Sequence, residues 1–153
     1  MTDDDLIARL EQQERDLIFT RFDFADAWRL GSLLVELATE RALPIAIDIR
    51  RGPQQLFHAA MAGSTADNDA WIERKVRVVE RFGSSSYLVG RRLAAQGREL
   101  DASVGVDPAR FAAHGGAFPV RLEAAGVVGV VTVSGLPQAE DHALVVEAIE
   151  RLR

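Results

Sequence analysis

The chain has 153 residues, 48% of them hydrophobic and 27% charged, and a formal net charge of −5. That is the size and make-up of a single soluble globular domain, read over 1–153, and a mildly acidic chain lacks the basic face that nucleic-acid binding needs. It has no cysteine, which removes disulfides, thiolate metal sites and a cysteine nucleophile.

Thr2 to about Thr20 is predicted helical. Thr2 can cap it, Asp3, Asp4 and Asp5 suit the positive end of its dipole, and Leu6, Leu10, Gln13 and Leu17 share one face. This acidic, amphipathic start lacks the basic and apolar parts of a signal peptide, and no apolar run reaches the length of a membrane helix, so a cytoplasmic protein with no membrane partner is expected. A second helix follows over FDFADAWRLGSLLVELATERAL, capped by Asp23, with Ala27, Leu30, Gly31, Leu34, Leu37 and Ala38 as its apolar stripe. Gly31 within that stripe predicts close packing against another backbone.

PIAIDIRRGPQQLFHAAM reads as a hairpin. Ile45, Ile47 and Ile49 alternate with Ala46, Asp48 and Arg50, RGP turns, and Leu56 to Met61 returns. NDAWIERKVRVVERFG is a third helix, with Ile72, Val76 and Val79 inward and Gly83 at its end. SSSYLVGRRLAAQG is a fourth, opened by serine caps and ended by Gly97. DPARFAAHGG reads as a short turn of helix and a glycine loop. FPVRLE and GVVGVVTVSG are two strands joined near Ala125 and Gly126, and the last helix starts near Pro137.

The order α-α-β-β-α-α-β-β-α, with strands in two hairpins, implies a mainly antiparallel sheet. Val127 to Val133 is apolar on both faces, so helices cover both sides. The predicted fold is therefore a three-layer α/β/α sandwich. Pro119 inside a strand points to an edge or a bulge.

Antiparallel pairing brings the start of one strand to the end of the other. His114, Gly115 and Gly116 are therefore predicted beside Ser134, Gly135, Glu140, Asp141 and His142 at one rim of the sheet. Two readings stand. As a ligand pocket, the glycines allow close backbone approach, the helix start offers free N–H groups, and the histidines are polar anchors. As plain structure, the glycines serve turns, Glu140 and Asp141 satisfy the helix dipole, and His142 is a core histidine. Phosphate loops, nucleophile elbows and zinc-protease motifs are missing, and the spacing of His58, His114 and His142 matches no metal site. A Ser134–His142–Asp141 triad is disfavoured, because neighbours on a helix point about 100° apart. DNDAWIERKVRVVERFGSSSY carries Trp71, Arg74, Arg81 and Tyr87. These are residue types enriched at interface hot spots, set on what is otherwise a solvated charged face or a basic rim for an anionic ligand.

HGGAFPVRLEAAGVVGVVTVSGLPQAEDHALVVEAI resembles the C-terminal signature of the haem-degrading domain family, the GlcG/HbpS-like proteins. There a glycine pair precedes a proline-containing strand, a second strand ends in Val-Ser-Gly, and an acid-rich helix follows. Here those positions are Gly115, Gly116, Pro119, Val133, Ser134, Gly135, Glu140 and Asp141. LPIAIDIRRGPQQLFHAAMAGSTADNDAWIERKVRVVERFGSSSYLVG looks like one particular branch of it. The resemblance spans about residues 5 to 150. It implies an antiparallel sheet flanked by helices and a multi-subunit assembly. Some members bind haem and are linked to its degradation, and others accompany glycolate or cobalamin metabolism. The expectation is a homo-oligomeric small-ligand-binding domain. Haem or a related tetrapyrrole is its nominal ligand, His114 and His142 are anchors, and Arg74 or Arg81 from a neighbouring subunit meets an acidic group of the ligand. The alternatives are a structural oligomer without a ligand, or an enzyme acting on a small organic acid.

Overall fold

The computed structural model describes all residues 1–153. Its elements are α1 (Asp3–Asp16), α2 (Phe24–Arg41), β1 (Ala46–Arg51), β2 (Gln54–Ala60), α3 (Ala66–Phe82), α4 (Ser86–Ala95), a 3-10 turn (Ala102–Val104), β3 (Ala117–Leu122), β4 (Gly126–Ser134) and α5 (Gln138–Leu152). The strands form one sheet in the order β2-β1-β4-β3, every pair antiparallel. Helices α2 and α5 pack on one face over the main core, and α3 covers the other. The three-layer α/β/α sandwich is thus the observed architecture. No helix is long and apolar enough to cross a membrane.

Local chemistry explains most boundaries. Thr2 accepts the Asp5 N–H at 3.1 Å while Asp5 accepts the Thr2 N–H at 3.1 Å, and Asp23 and Asp26 make the same reciprocal box at the start of α2. Ser85 caps α4 by accepting the Leu88 N–H at 3.1 Å. At α3 the cap is Thr65, three residues before the expected start, and its N–H donates to the Asn68 side chain at 2.8 Å. Gly83 closes α3 with φ 71°. Pro137 stands just before α5 as its N-cap.

Four expectations need correction. First, α1 stops at Asp16, not Thr20. Phe19 instead lies along the outer edge of β3, donating to the Arg121 carbonyl at 2.8 Å and accepting the Glu123 N–H at 2.9 Å. The edge strand has unpaired backbone groups there, and this pairing satisfies them. Second, Gly31 packs under a ring rather than a backbone: a Cβ on it would lie 2.4 Å from the Phe57 ring. Third, β2 begins at Gln54, because Gly52, with φ 56°, turns the chain tightly enough for pairing to resume at once. Fourth, the single helical turn before the glycines is the 3-10 turn at Ala102–Val104, and 108–110 form only turns.

Pro119 lies in β3, an edge strand, where its missing N–H is tolerated. Val130, Val131 and Val133 are buried, with Val130 facing α3 and the other two facing α2 and α5. Val127 is exposed, because β4 begins beyond the reach of the covering helices.

Candidate functional site

The rim where β3 begins and β4 ends is built by the register. Ala117 pairs with Thr132, and the Val133 N–H donates to the Gly116 carbonyl at 3.1 Å. His114 to Gly116 therefore arrive beside Ser134 and Gly135. The first turn of α5 closes over this end, and α3 flanks it from the opposite face of the sheet.

At the centre is a pair that the sequence reading did not single out. Lys75, from α3, is 3% exposed, and Asp141, from α5, is 1% exposed. Their ammonium and carboxylate lie 3.2 Å apart. Lys75 also donates to the Val133 carbonyl at 3.2 Å. Asp141 further accepts the N–H groups of Leu136 at 3.0 Å and Gly135 at 3.4 Å. Burial raises the Asp141 carboxyl to about 6, against the opposing pull of Lys75 and the two N–H donors. Burial likewise lowers the Lys75 ammonium below its ordinary range, and Asp141 only partly restores it. A signal did exist in the sequence: Lys75 is the chain's single lysine among 18 basic residues, and it lies on the Ile72–Val76–Val79 face of α3.

Above this pair opens a cavity of about 260 Å³. Its walls are Asp67, Asn68 and Trp71 from α3, His114, the strand end Ser134-Gly135-Leu136, and Gln138, with Lys75 and Asp141 at its base. A second cavity of about 630 Å³ adjoins it and shares His114 and Gln138. Leu93, Leu100, Phe111 and Ala112 give it apolar walls, and Arg74, Arg91 and Arg98 line it as well. None of these three arginines makes an ion pair. Arg74 donates to the Pro108 carbonyl at 3.0 Å and stacks 4.6 Å over the Trp71 ring. The His114 ring is 5.2 Å from the same indole. Partial desolvation, helped by Lys75, Arg74 and Arg91, holds its imidazole below the usual histidine value.

The residues singled out from sequence divide. His114, Ser134, Gly135 and Asp141 line the smaller cavity. Gly115 and Gly116 are at the rim, but the protein itself fills the space beside them. A Cβ on Gly115 would lie 2.2 Å from the Gln138 carbonyl oxygen, and one on Gly116 would lie 2.7 Å from the Lys75 ammonium. Gly116 also has φ +139°, which favours glycine. Glu140 points to solvent and lines neither cavity. Trp71 and Arg74 turn out to be cavity walls. Tyr87 is half-buried against His142, and Arg81 stays exposed near Gly105. His58 bonds to Asp69 at 2.7 Å, away from both cavities.

His142 is 3% exposed and belongs to the interior. Its Nε2 meets the Gln13 side chain at 2.7 Å, and its ring lies 5.1 Å from Tyr87 and 5.9 Å from Phe118. It and Asp141 leave α5 in different directions, so the two do not pair. Burial drives the imidazole pKa down to about 4.

Folded His142 therefore resists a proton that the unfolded chain accepts near its ordinary value of about 6.5, and stability falls as pH drops from there toward 4. The full effect is about 3 kcal/mol at 1.36 kcal/mol per pKa unit. Asp141 acts oppositely: its raised carboxyl holds a proton more readily folded than unfolded, so acid favours the fold between about 3.9 and 6. Comparison with His142→Gln cancels that contribution. Urea unfolding at pH 7 and pH 4.5 should show wild type losing about 2 kcal/mol more than the variant; equal losses would contradict this account of the imidazole.

The sequence profile of the family described as haem degrading protein HbpS-like matches residues 22–150. A UPF0303 protein of Streptomyces coelicolor is 66% identical over 145 residues, covering 95% of this chain and 92% of that protein. Among solved structures, the Ybr137w protein superposes with a TM-score of 0.84 at 32% identity, over 96% of this chain and 90% of that one. A PduOC:haem complex superposes with a TM-score of 0.69 at 17% identity, over 84% and 92%, a likeness of fold. With the profile match spanning most of the sequence and extensive identity to relatives covered over nearly their whole length, this chain belongs to the family described as haem degrading protein HbpS-like.

Proposed function

We propose that the protein binds haem or a related tetrapyrrole in the larger cavity, with His114 as the metal ligand. One arrangement carries this reading: an imidazole stands at the mouth of a partly apolar cavity whose three arginines lack ion-pair partners. A tetrapyrrole of this kind is a flat apolar plate with acidic side chains and a metal that takes an axial nitrogen. The volume lies within the range of small-molecule sites, about 300–1,000 Å³. Leu93, Leu100 and Phe111 would meet the plate, and Arg74, Arg91 and Arg98 would meet its carboxylates. The lowered pKa keeps His114 neutral near pH 7, the form that coordinates a metal. Bound haem would bring iron capable of ligand exchange and redox chemistry. The solved haem complex of PduOC, a protein of the same fold, agrees with this reading.

His142 has no part in it, because its ring is enclosed by Tyr87, Phe118 and Gln13. Haem titration should give a shifted Soret band that saturates at one haem per chain and is lost in His114→Ala. Arg91→Ala should raise the Kd about tenfold, the loss of roughly one charge-assisted hydrogen bond. No spectral change at stoichiometric haem, or an unchanged band in His114→Ala, would refute the assignment.

We also propose a homo-oligomer. Its interface would use Phe24 and Trp28, exposed at 68% and 66%, with Trp28 packed edge-on against Phe57 at 5.6 Å. Beside them β2 is an open sheet edge with no lysine or acidic residue between Gln54 and Ala60, the kind of edge that pairs with a second copy. Light scattering should find Trp28→Glu smaller than wild type. Equal masses for the two would count against this surface.

A further inference from the structure

Seventeen of the chain's 18 basic residues are arginine, since Lys75 is its only lysine. Arginine stays charged in proteins, whereas a buried lysine can give up its proton and act as a nucleophile or base. The single side chain of this class is therefore also the one enclosed at the base of a cavity, 3.2 Å from a carboxylate.

The walls above it present hydrogen-bond donors. The Asn68 amide oxygen accepts the Thr65 N–H at 2.8 Å, and the Gln138 amide oxygen accepts the Gly115 N–H at 3.0 Å. Neither amide NH₂ group donates within the chain, and both side chains line the cavity. The Ser134 hydroxyl lines the same space without an internal partner. Trp71 supplies one flat wall, and Asp67 lies exposed at the mouth. Two amides and a hydroxyl suit a carboxylate, a volume of about 260 Å³ suits a molecule of few heavy atoms, and an amine at the base suits a carbonyl carbon.

We propose that Lys75 captures a small 2-oxo acid as an imine in this cavity. Asp141 takes a proton from the ammonium. The free Nζ then adds to the ketone carbon, forming the C–N bond as the C=O π electrons move to oxygen, and one of the two protons still on nitrogen passes to that oxygen to give a neutral carbinolamine. Asp141 returns its proton to the hydroxyl, which leaves as water, and the nitrogen lone pair closes the C=N bond, giving a protonated imine beside the restored carboxylate. One ammonium and one ketone give one protonated imine and one water, with no oxidation or reduction. The lowered pKa of Lys75 and the raised pKa of Asp141 both favour this exchange. The inference does not depend on tetrapyrrole binding next door, and haem-free protein suffices to test it.

The test is reductive trapping with pyruvate and cyanoborohydride at pH 7, followed by intact mass and peptide mapping. The chain has only two amines, Lys75 and the N-terminus, so the site is unambiguous. Folded protein should gain one carboxyethyl group at Lys75, saturably with pyruvate, at least tenfold faster than Lys75 in urea-unfolded protein. Ser134→Ala should raise the half-saturating pyruvate concentration about tenfold, the loss of one hydrogen bond to a carboxylate. Trapping only at the N-terminus, or at Lys75 no faster than in the unfolded chain, would overturn the proposal. The site and the rate of trapping are both read on wild-type protein, so the test needs no lysine variant that folds.

Discussion

The Lys75–Asp141 pair is the constraint on which the rim depends. Placing two charges where they are almost inaccessible to water costs several kcal/mol per ion, and only close pairing with further hydrogen bonds offsets it. Here those bonds are all to the backbone: the Val133 carbonyl for the ammonium, and the Gly135 and Leu136 N–H groups for the carboxylate. The pair thereby joins α3, from one face of the sheet, to α5, from the other, around the end of β4. Gly116 fits the same junction: a Cβ there would lie 2.4 Å from the Val133 carbonyl oxygen and 2.7 Å from the ammonium, and its φ of +139° favours glycine. With that junction fixed, His114 and Gln138 fall between two cavities of contrasting chemistry, one polar and small, one wider and arginine-lined.

Much of this was legible in the sequence, because it rests on short-range rules. Alternation at Ile45, Ile47 and Ile49 and the stripe Ala27–Leu30–Leu34–Leu37–Ala38 specify a hairpin and a covering helix, and all these residues are buried. Pro119 marked an edge, and antiparallel pairing alone placed His114 near Ser134. What stayed hidden depends on the third dimension. The sequence pattern of α1 continues to Thr20, yet the need to pair the outer edge of β3 draws Phe19 out of the helix. The glycine pair reads as an opening for a ligand, whereas Gln138 and Lys75 occupy that space. Lys75 sits within a run of charged residues and reads as solvated. Only its place on the inward face of α3, and its being the single lysine, set it apart.

The two histidines of the rim motif show the same limit. His114 and His142 are both close to Ser134 along the topology, and spacing does not separate their roles. Packing does: α1 and α4 enclose His142, whose neutral ring bonds to Gln13 and rests on Tyr87 and Phe118, while His114 keeps one side open between Trp71 and the arginines. His142 is part of the interior, and His114 keeps an exposed side.

Because the chain has one lysine, its ionisation can be read without assignment. A sample labelled with ¹³C-lysine should give a single Cε resonance. Following that signal with pH measures the state of the buried ammonium, on which both the architecture of the rim and its chemistry turn. A midpoint clearly below the ordinary lysine value of about 10.4 is predicted. A midpoint at or above that value would mean that the ion pair outweighs burial, and the account given for this site would fail.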